Sequence, residues 1–277
     1  MRIRKSLQTG ILYIVIIGGA INLILPFVWM ISTSLKEYSF ILDYPPRLIP
    51  EEPSLNNFIK AWLSSNFQQY FKNSLFVASI SVILVVLFSA MMAYAFARLE
   101  FPGKDAIFYS ILLVLMIPNM VGIIPQFLLA KELGLRNSLW GLILFYVSGS
   151  IPFNTFLLRG FFETLPSELE DAILIDGGNY FTIFIKMILP LSKPALATVS
   201  IFSFLGFWDE YILALTFIDD PGRRTLPVAI ATFYGQHATD WGLVFAASLI
   251  AVVPVMIVFI SMQRYFVGGL TSGAFKG

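Results

Sequence analysis

The chain has 277 residues, of which 57% are hydrophobic and only 13% are charged, and its mean hydropathy is +0.80. A soluble domain carries about 25% charged residues, so this composition excludes a soluble protein and predicts an integral protein of the lipid bilayer. The net charge of +1 gives no sign of a nucleic-acid partner, and we expect none. Because there is no cysteine and a single histidine, His237, we predict no disulfide, no metal site and no catalytic residue.

Six apolar runs are long enough to cross a bilayer, which takes about 20 helical residues. They predict an all-α fold: a polytopic membrane protein with one transmembrane domain over residues 1–277. The predicted helices cover residues 11–35, 75–97, 106–129, 139–158, 195–218 and 241–262.

The basic residues Arg2, Arg4 and Lys5 precede the first run and place the N-terminus in the cytoplasm. That run is longer than the apolar core of a signal peptide, so we interpret it as an uncleaved helix. An even number of spans then returns the C-terminus to the cytoplasm.

Amide side chains lie beside prolines in the third and fourth runs. Asn119, Gln126 and Asn154 are close in sequence to Pro118, Pro125 and Pro152. Proline within a span frees backbone carbonyls, which are tolerated where neighbouring groups or water satisfy them. These amides either line a path for a polar solute or bond between helices, and the sequence leaves both interpretations open.

A polar segment at about residues 160–193 separates the fourth and fifth runs. Ser167 and Glu170 have the S-x-x-E spacing of a capping box, which predicts that a short helix begins there. Gly177 and Gly178 end it, and Asn179 caps a second helix from Tyr180 to about residue 189, closed by Pro190. The segment is either an interfacial connector or a docking element for a soluble partner.

Two carboxylates, Asp209 and Glu210, lie deep in the fifth run. Ionisable residues in a spanning helix usually face a polar cavity, so they are candidates for the wall of a translocation path. The alternative is a pair of hydrated carboxylates near the outer headgroups.

The last external loop carries Tyr234, Gln236 and His237, and a lone histidine there is most simply a solvated side chain. Near the C-terminus, Gly268 and Gly273 have the first spacing of a P-loop, but Ala274 occupies the lysine position. We therefore predict no ATP site in this chain, and Gly269 and Gly273 with their small neighbours predict a flexible tail.

The segment Asp171-Ala172-Ile173, followed by Asp176-Gly177-Gly178 and then Leu189-Pro190, resembles the EAA loop of bacterial ABC-importer permeases. Asp171 and Ile173 depart from the E-A-A pattern. Asp171 keeps the charge on a shorter arm. Ile173 has more volume than alanine, which predicts an adapted groove on the partner.

Similar matches extend over most of the chain: Pro26-Phe27-Val28-Trp29-Met30, Asn73-Ser74, Tyr94-Ala95-Phe96-Ala97-Arg98, Phe101-Pro102-Gly103 and the tail from Gln263 to Gly277. Together they resemble the second permease subunit of maltose-type carbohydrate importers.

The resemblance implies a multi-pass permease in the plasma membrane of a bacterium or archaeon, importing a sugar, oligosaccharide or related polyol. Implied partners are a homologous permease that completes a heterodimer, an ATPase dimer that binds ATP and magnesium, and an extracytoplasmic solute-binding protein. The permease itself would be neither an enzyme nor a cofactor protein.

The resemblance also implies roles for individual residues. Implied ATPase-coupling residues are Glu170, Asp171, Ala172, Ile173, Asp176, Gly177 and Gly178, with Gly273 and Lys276 of the tail as further ATPase contacts. Tyr234, Gln236 and His237 would face the binding protein, and Asn119, Asn154, Asp209 and Glu210 the translocation path. The rival hypothesis is a stand-alone channel or ion-coupled carrier that uses Asp209 and Glu210.

Overall fold

The structure, a computed structural model, describes residues 2–37, 48–64, 66–233 and 239–274, with the backbone alone for residues 2–8 and 266–274. Every regular element in these ranges is helical. The α-helices are α1 Arg2–Ser34, α2 Asn56–Leu63, α3 Phe67–Arg98, α4 Lys104–Leu113, α5 Ile123–Glu132, α6 Leu139–Phe162, α7 Glu168–Ile175, α8 Tyr180–Ile183, α9 Leu189–Leu191, α10 Lys193–Trp208, α11 Ile212–Phe217, α12 Leu226–Thr232 and α13 Trp241–Ala274.

Four of the described helices are individually long and apolar enough to cross a membrane: Thr9–Ser34, Phe67–Arg98, Leu139–Phe162 and Trp241–Tyr265. A fifth span is possible by length and composition if the bent pair Tyr180–Leu191 and Lys193–Trp208 counts as one. The all-helical membrane fold is confirmed, and four of the six predicted spans are continuous helices.

The third predicted helix, 106–129, is wrong as a single rod. The chain forms α4, a 3₁₀ turn at Val114–Met116 and then α5. Ile117 is extended, with φ −90° and ψ 118°. The cause is Pro118, whose ring disfavours helical geometry in the residue before it. Hydropathy averages over such a break and so misses it.

The fifth predicted helix, 195–218, is also broken: α10 ends at Trp208 and α11 begins at Ile212. The Glu210 carboxylate accepts hydrogen bonds from the backbone N–H groups of Leu213 at 2.7 Å and Ala214 at 3.0 Å. A polar side chain that satisfies the free N–H groups of a new helix stabilises the interruption.

The chain forms two compact units, Met1–Gln68 with Ala229–Val253, and Gln69–Val228 with Pro254–Gly277. In the first unit, the Asn57 amide donates to the carbonyls of Ser34 at 3.0 Å and Lys36 at 2.7 Å, which satisfies groups left free where α1 ends. No residue in the apolar window of Thr9–Ser34 is buried within the described chain.

The second unit holds the main hydrophobic core. Its fully buried residues come from α3, α6 and the segment that follows Tyr180, and they include Val85, Leu142, Leu158, Phe162 and Ile188. Ile183 of α8 belongs to this core and Ile173 of α7 packs against it, so both short helices are in contact with the core.

The second helix of the polar segment was predicted to end at Pro190, but it continues past this residue. After α8 the backbone forms a π-helix at Phe184–Ile188, and Pro190 lies in α9, which continues to Leu191. Because proline has no N–H, a helix can continue through it only by adjusting its hydrogen bonds, and a wider π turn is one such adjustment. The rod Tyr180–Leu191 then bends by 75° into α10.

The C-terminal segment also differs from the prediction. The backbone of α13 is helical to Ala274, so the stretch around Gly269 and Gly273 is helix in place of the predicted flexible tail.

Candidate functional site

Helix α7 is short, acidic and largely exposed. Asp171, Ala172 and Asp176 are exposed, and Ile175 has 86% of its surface accessible. Beyond the turn, Phe181 at the start of α8 is 72% exposed. Carboxylates in the first turn of a helix interact favourably with its dipole, and apolar residues beside them suit a protein surface. The arrangement can bind a partner that offers basic and apolar groups.

The predicted capping box at the start of α7 is wrong. Ser167 makes no side-chain capping bond. Glu170 instead turns towards α3, where its Oε1 lies 3.1 Å from Nε of Arg98. The spacing of the motif is present, but Glu170 faces a charged partner 72 positions away in sequence and not the local backbone N–H, because opposite charges attract strongly where water is largely excluded.

Arg98 joins three elements. Besides pairing with Glu170, its Nη2 donates hydrogen bonds to the carbonyl oxygen of Phe162 at 2.6 Å and to that of Leu165. The side chains of Arg98 and Glu170 keep only 13% and 14% exposure. Burial raises the pKa of Glu170, and the neighbouring Asp171 adds to the rise while Arg98 opposes it.

A Schellman turn ends α7, which confirms the predicted glycine stop. The N–H of Gly178 donates to the carbonyl of Ile173 at 2.8 Å and that of Gly177 to Leu174 at 3.1 Å. Gly177 has φ +80°, a left-handed conformation that favours glycine. The Asn179 side chain then accepts from the N–H of Thr182 at 2.9 Å, so the predicted cap of the second helix is also confirmed.

Ile173 points inward. It is partly buried against the core, and a Cβ at Gly178 would lie 2.5 Å from its Cγ2. Part of the extra volume of Ile173 is therefore accommodated within this chain, and the adaptation of a partner groove to it stays a prediction.

A cavity of about 830 Å³ opens beside the break between α4 and α5. It is lined by uncharged residues, among them the amides of Asn119, Gln126 and Asn154 and the rings of Phe153, Phe202 and Phe207. Asn154 is held by donating to the carbonyl of Ser150 at 2.9 Å and to Oγ of Ser203 at 3.4 Å. The volume of the cavity is within the range of ligand pockets, and amides beside aromatic rings suit a neutral polar solute.

Asp209 and Glu210 are not among the residues that line this cavity. Besides capping α11, Glu210 accepts a hydrogen bond from the Tyr146 hydroxyl at 2.5 Å. Asp209 is exposed just after α10. Glu210 thus holds the break together, a role that its sequence position alone did not indicate.

The loop from Asp219 to Leu226 is fastened to α3 by uncharged side chains, and an ion pair between Asp219 and Arg136 holds its first residue. Asn73, at the other end of α3 from Arg98, donates to the carbonyls of Gly222 at 3.1 Å and Arg224 at 2.9 Å. The Ser74 hydroxyl accepts from the N–H of Leu226 at 2.7 Å. Asn137, with φ 55°, accepts from the N–H groups of Asp219 and Asp220.

Five predicted contact residues have little or no structural description. Tyr234, Gln236, His237 and Lys276 lie outside the described residues, and for Gly273 only the helical backbone is described.

Residues 85–271 of the chain match the family model described as "Binding-protein-dependent transport system inner membrane component". The chain is 36% identical over 269 residues to the diacetylchitobiose uptake system permease protein of Streptomyces coelicolor, covering 96% of this chain and 89% of the relative. It is 36% identical over 272 residues to the trehalose/maltose transport system permease protein of Thermococcus litoralis, covering 95% and 96%.

Among solved structures, a chain of a bacterial ABC transporter involved in the import of the acidic polysaccharide alginate superposes with a TM-score of 0.83. The match covers 95% of this chain and 98% of the other at 24% sequence identity, which shows a shared fold.

Proposed function

Because the chain belongs to the family of binding-protein-dependent transport system inner membrane components, we propose that it is the permease subunit of an ABC importer for a sugar, oligosaccharide or related polyol. The observation that carries the solute class is the uncharged cavity beside the α4–α5 break. Its amide groups can exchange hydrogen bonds with hydroxyls, and its phenylalanine rings can pack on the apolar faces of sugar rings. The names of the relatives, which include diacetylchitobiose and trehalose/maltose transporters, support the same class.

ATP hydrolysis belongs to a separate ATPase dimer, which binds ATP and magnesium. The exposed face of α7, with Asp171, Ala172, Ile175 and Asp176, supports an ATPase contact there. In this arrangement the N- and C-termini face the cytoplasm, and the expected ATPase contacts of Gly273 and Lys276 stay predictions.

A homologous permease subunit completes the transporter. The apolar surface of Thr9–Ser34, left uncovered by the described chain, supports burial against lipid and this second subunit. A solute-binding protein delivers the sugar from outside the cell. The loop that carries Tyr234, Gln236 and His237 stays a prediction for that contact.

No observation favours the ion-coupled carrier. Glu210, one of its two candidate coupling carboxylates, accepts three hydrogen bonds that hold the α10–α11 break.

The test is transport by the chain reconstituted in proteoliposomes with its permease partner, ATPase and binding protein. Labelled maltose, trehalose, diacetylchitobiose and an alginate oligosaccharide are the probes. We expect ATP-dependent uptake of a neutral saccharide and none of the anionic alginate oligomer. Uptake by this chain alone, driven by an ion gradient without ATP, would contradict the proposal.

A further inference from the structure

We propose that Arg98 and Tyr94 are positioning residues that transmit the movement of α7 and α8 to α3, an inference that rests on the ATPase contact proposed for α7. We call the two residues with Glu170 the α3 clasp. The clasp couples ATP hydrolysis to solute movement and touches neither ATP nor solute.

Arg98 fixes three elements at one point. It is the last residue of α3, its Nη2 donates to the carbonyls of Phe162, the last residue of α6, and of Leu165 in the connection to α7, and its Nε faces Glu170 of α7. Carbonyls at the end of a helix can accept a hydrogen bond from an arginine, and this one joins the end of α6 to α3. A displacement of α7 therefore pulls on α3 and on the end of α6 through one rigid guanidinium group.

Tyr94 repeats the connection one turn earlier. Residues four apart share a face of a helix, so Tyr94 and Arg98 point from α3 to the same side. The Tyr94 hydroxyl donates to the carbonyl of Tyr180 at 3.0 Å, and its ring packs on Phe184 with centroids 5.2 Å apart. Arg98 thus holds α7 while Tyr94 holds α8, and the helix–turn–helix is attached to α3 on both limbs.

The chemistry of the pair indicates positioning more than stabilisation. Both charges are largely buried, and burying an ion pair often returns less free energy than desolvation costs. The pKa of Glu170 is raised in spite of the adjacent guanidinium, which means that burial disfavours the charged carboxylate more than Arg98 favours it. Two apolar side chains would pack here at lower cost but would not fix direction, as a guanidinium that is hydrogen-bonded to two carbonyls beside a carboxylate does.

Two mild variants test the clasp without removing its bulk. Tyr94→Phe keeps the ring and removes the hydroxyl, and Glu170→Gln keeps the shape and removes the charge. The matched control is Glu163→Gln, because Glu163 pairs with Arg159 at 2.7 Å near the same end of α6. Arg98→Lys is the conservative variant, which keeps the charge but lacks the fork that reaches two carbonyls.

The readout is solute transported per ATP hydrolysed by the complete transporter in proteoliposomes, with the amount of bound ATPase measured on the same samples. We expect Tyr94→Phe, which loses one hydrogen bond, and Glu170→Gln, which loses one charge–charge contact, to assemble normally and to lower the transport ratio by about threefold to tenfold. Arg98→Lys is expected to lower the ratio at least as much, because it loses the fork that reaches the two carbonyls, and Glu163→Gln is expected to match the wild type.

An unchanged ratio in assembled Tyr94→Phe and Glu170→Gln transporters overturns the clasp. Failure of the wild-type chain to assemble with an ATPase overturns the proposed function instead, so the two failures are distinguishable. If either Tyr94→Phe or Glu170→Gln fails to assemble with the ATPase, the transport ratio of the other variant decides whether the clasp is present.

Discussion

The two ends of α3 each fasten a polar segment, but they use different chemistry. At one end Asn73 and Ser74 hold the Asp219–Leu226 loop by uncharged hydrogen bonds, and both are nearly fully buried. At the other end Arg98 holds α7 by a largely buried ion pair. A neutral amide is cheaper to bury than a charge, so the Asn73 end suits a fixed loop. The Arg98 end accepts a higher cost and gains a charge–charge contact with α7 beside its two hydrogen bonds to carbonyls.

Replacement of Arg98 by alanine tests the charged end of α3, and we expect it to have the largest effect on stability. It leaves Glu170 without its charged partner and the carbonyl of Leu165 without its donor, whereas the carbonyl of Phe162 keeps the backbone N–H of Leu165. Removing one member of a buried ion pair costs about 3–5 kcal/mol. We expect a large loss of thermal stability of the purified chain, measured in detergent. A loss below that of Asn73→Ala would contradict the ranking of the two ends.

Asn73→Ala tests the neutral end. Two carbonyls, those of Gly222 and Arg224, lose their donor. An unsatisfied buried group costs about 1–3 kcal/mol, so we expect roughly 2 kcal/mol of destabilisation with normal assembly with the ATPase. The melting temperature and the yield of the complex check both parts. Ser74→Ala, which removes one hydrogen bond, is the graded control.

The turns at the two ends also differ in how tightly they are packed. A Cβ at Gly178 would lie 2.8 Å from the carbonyl oxygen of Ile173, whereas at Gly222 its nearest contact is Oδ1 of Asp220 at 3.4 Å. Overpacking costs about 1–3 kcal/mol, so Gly178→Ala is expected to destabilise the chain by about 1–2 kcal/mol. The matched variant Gly222→Ala should change stability much less. Combining Gly178→Ala with Ile173→Ala should restore only part of the loss, because the carbonyl remains in place.

The smallest expected effect is a pH dependence confined to the charged end. Burial raises the pKa of Glu170 from its ordinary value of 4.5, while Arg98 of α3 opposes the rise and Asp171 of α7 adds to it, and the Tyr94 hydroxyl of α3 also interacts electrostatically with Glu170. A raised pKa in the folded state means that folding favours the protonated carboxyl. The contribution to stability is therefore complete below pH 4.5 and is lost as the pH rises through the raised value.

Melting temperatures between pH 4 and 8 measure this effect as the difference between the wild type and Glu170→Gln. We expect the wild type to lose stability relative to the variant as the pH rises. Glu163→Gln, at an exposed carboxylate, should show no such trend. The opposite slope for Glu170→Gln would mean that Arg98 outweighs burial.

Local signals in the sequence were enough for two of the helix ends, although the capping box at Ser167 and the stop at Pro190 were wrong. Asn179 caps its helix and Gly177 ends α7 as predicted, because a cap is a contact between residues a few positions apart. Hydropathy located the apolar segments but not the breaks at Pro118 and Glu210, since an average over twenty residues hides a turn of three.

The α3 clasp was beyond the sequence for a different reason. Glu170 had a plausible partner in Ser167, and nothing local indicated that Arg98 lies closer in space. Tyr94 and Arg98 stood out in the resemblance, but their four-residue spacing alone gives no target. Among the predicted path residues, Asn119 and Asn154 line the cavity whereas Asp209 and Glu210 do not, because the helix break directs Glu210 to α11.

Because of the bend at Ser192, the helical segment Tyr180–Leu191 projects sideways from the axis of α10. Twelve helical residues reach about 17 Å, and at 75° to α10 nearly all of that length acts as a radius. A rotation of α10 by about 10° about its own axis would sweep the far end of the rod, next to Gly178, through roughly 3 Å. A small rotation of α10 would therefore displace the end of the segment Tyr180–Leu191 next to Gly178 by about the length of one hydrogen bond.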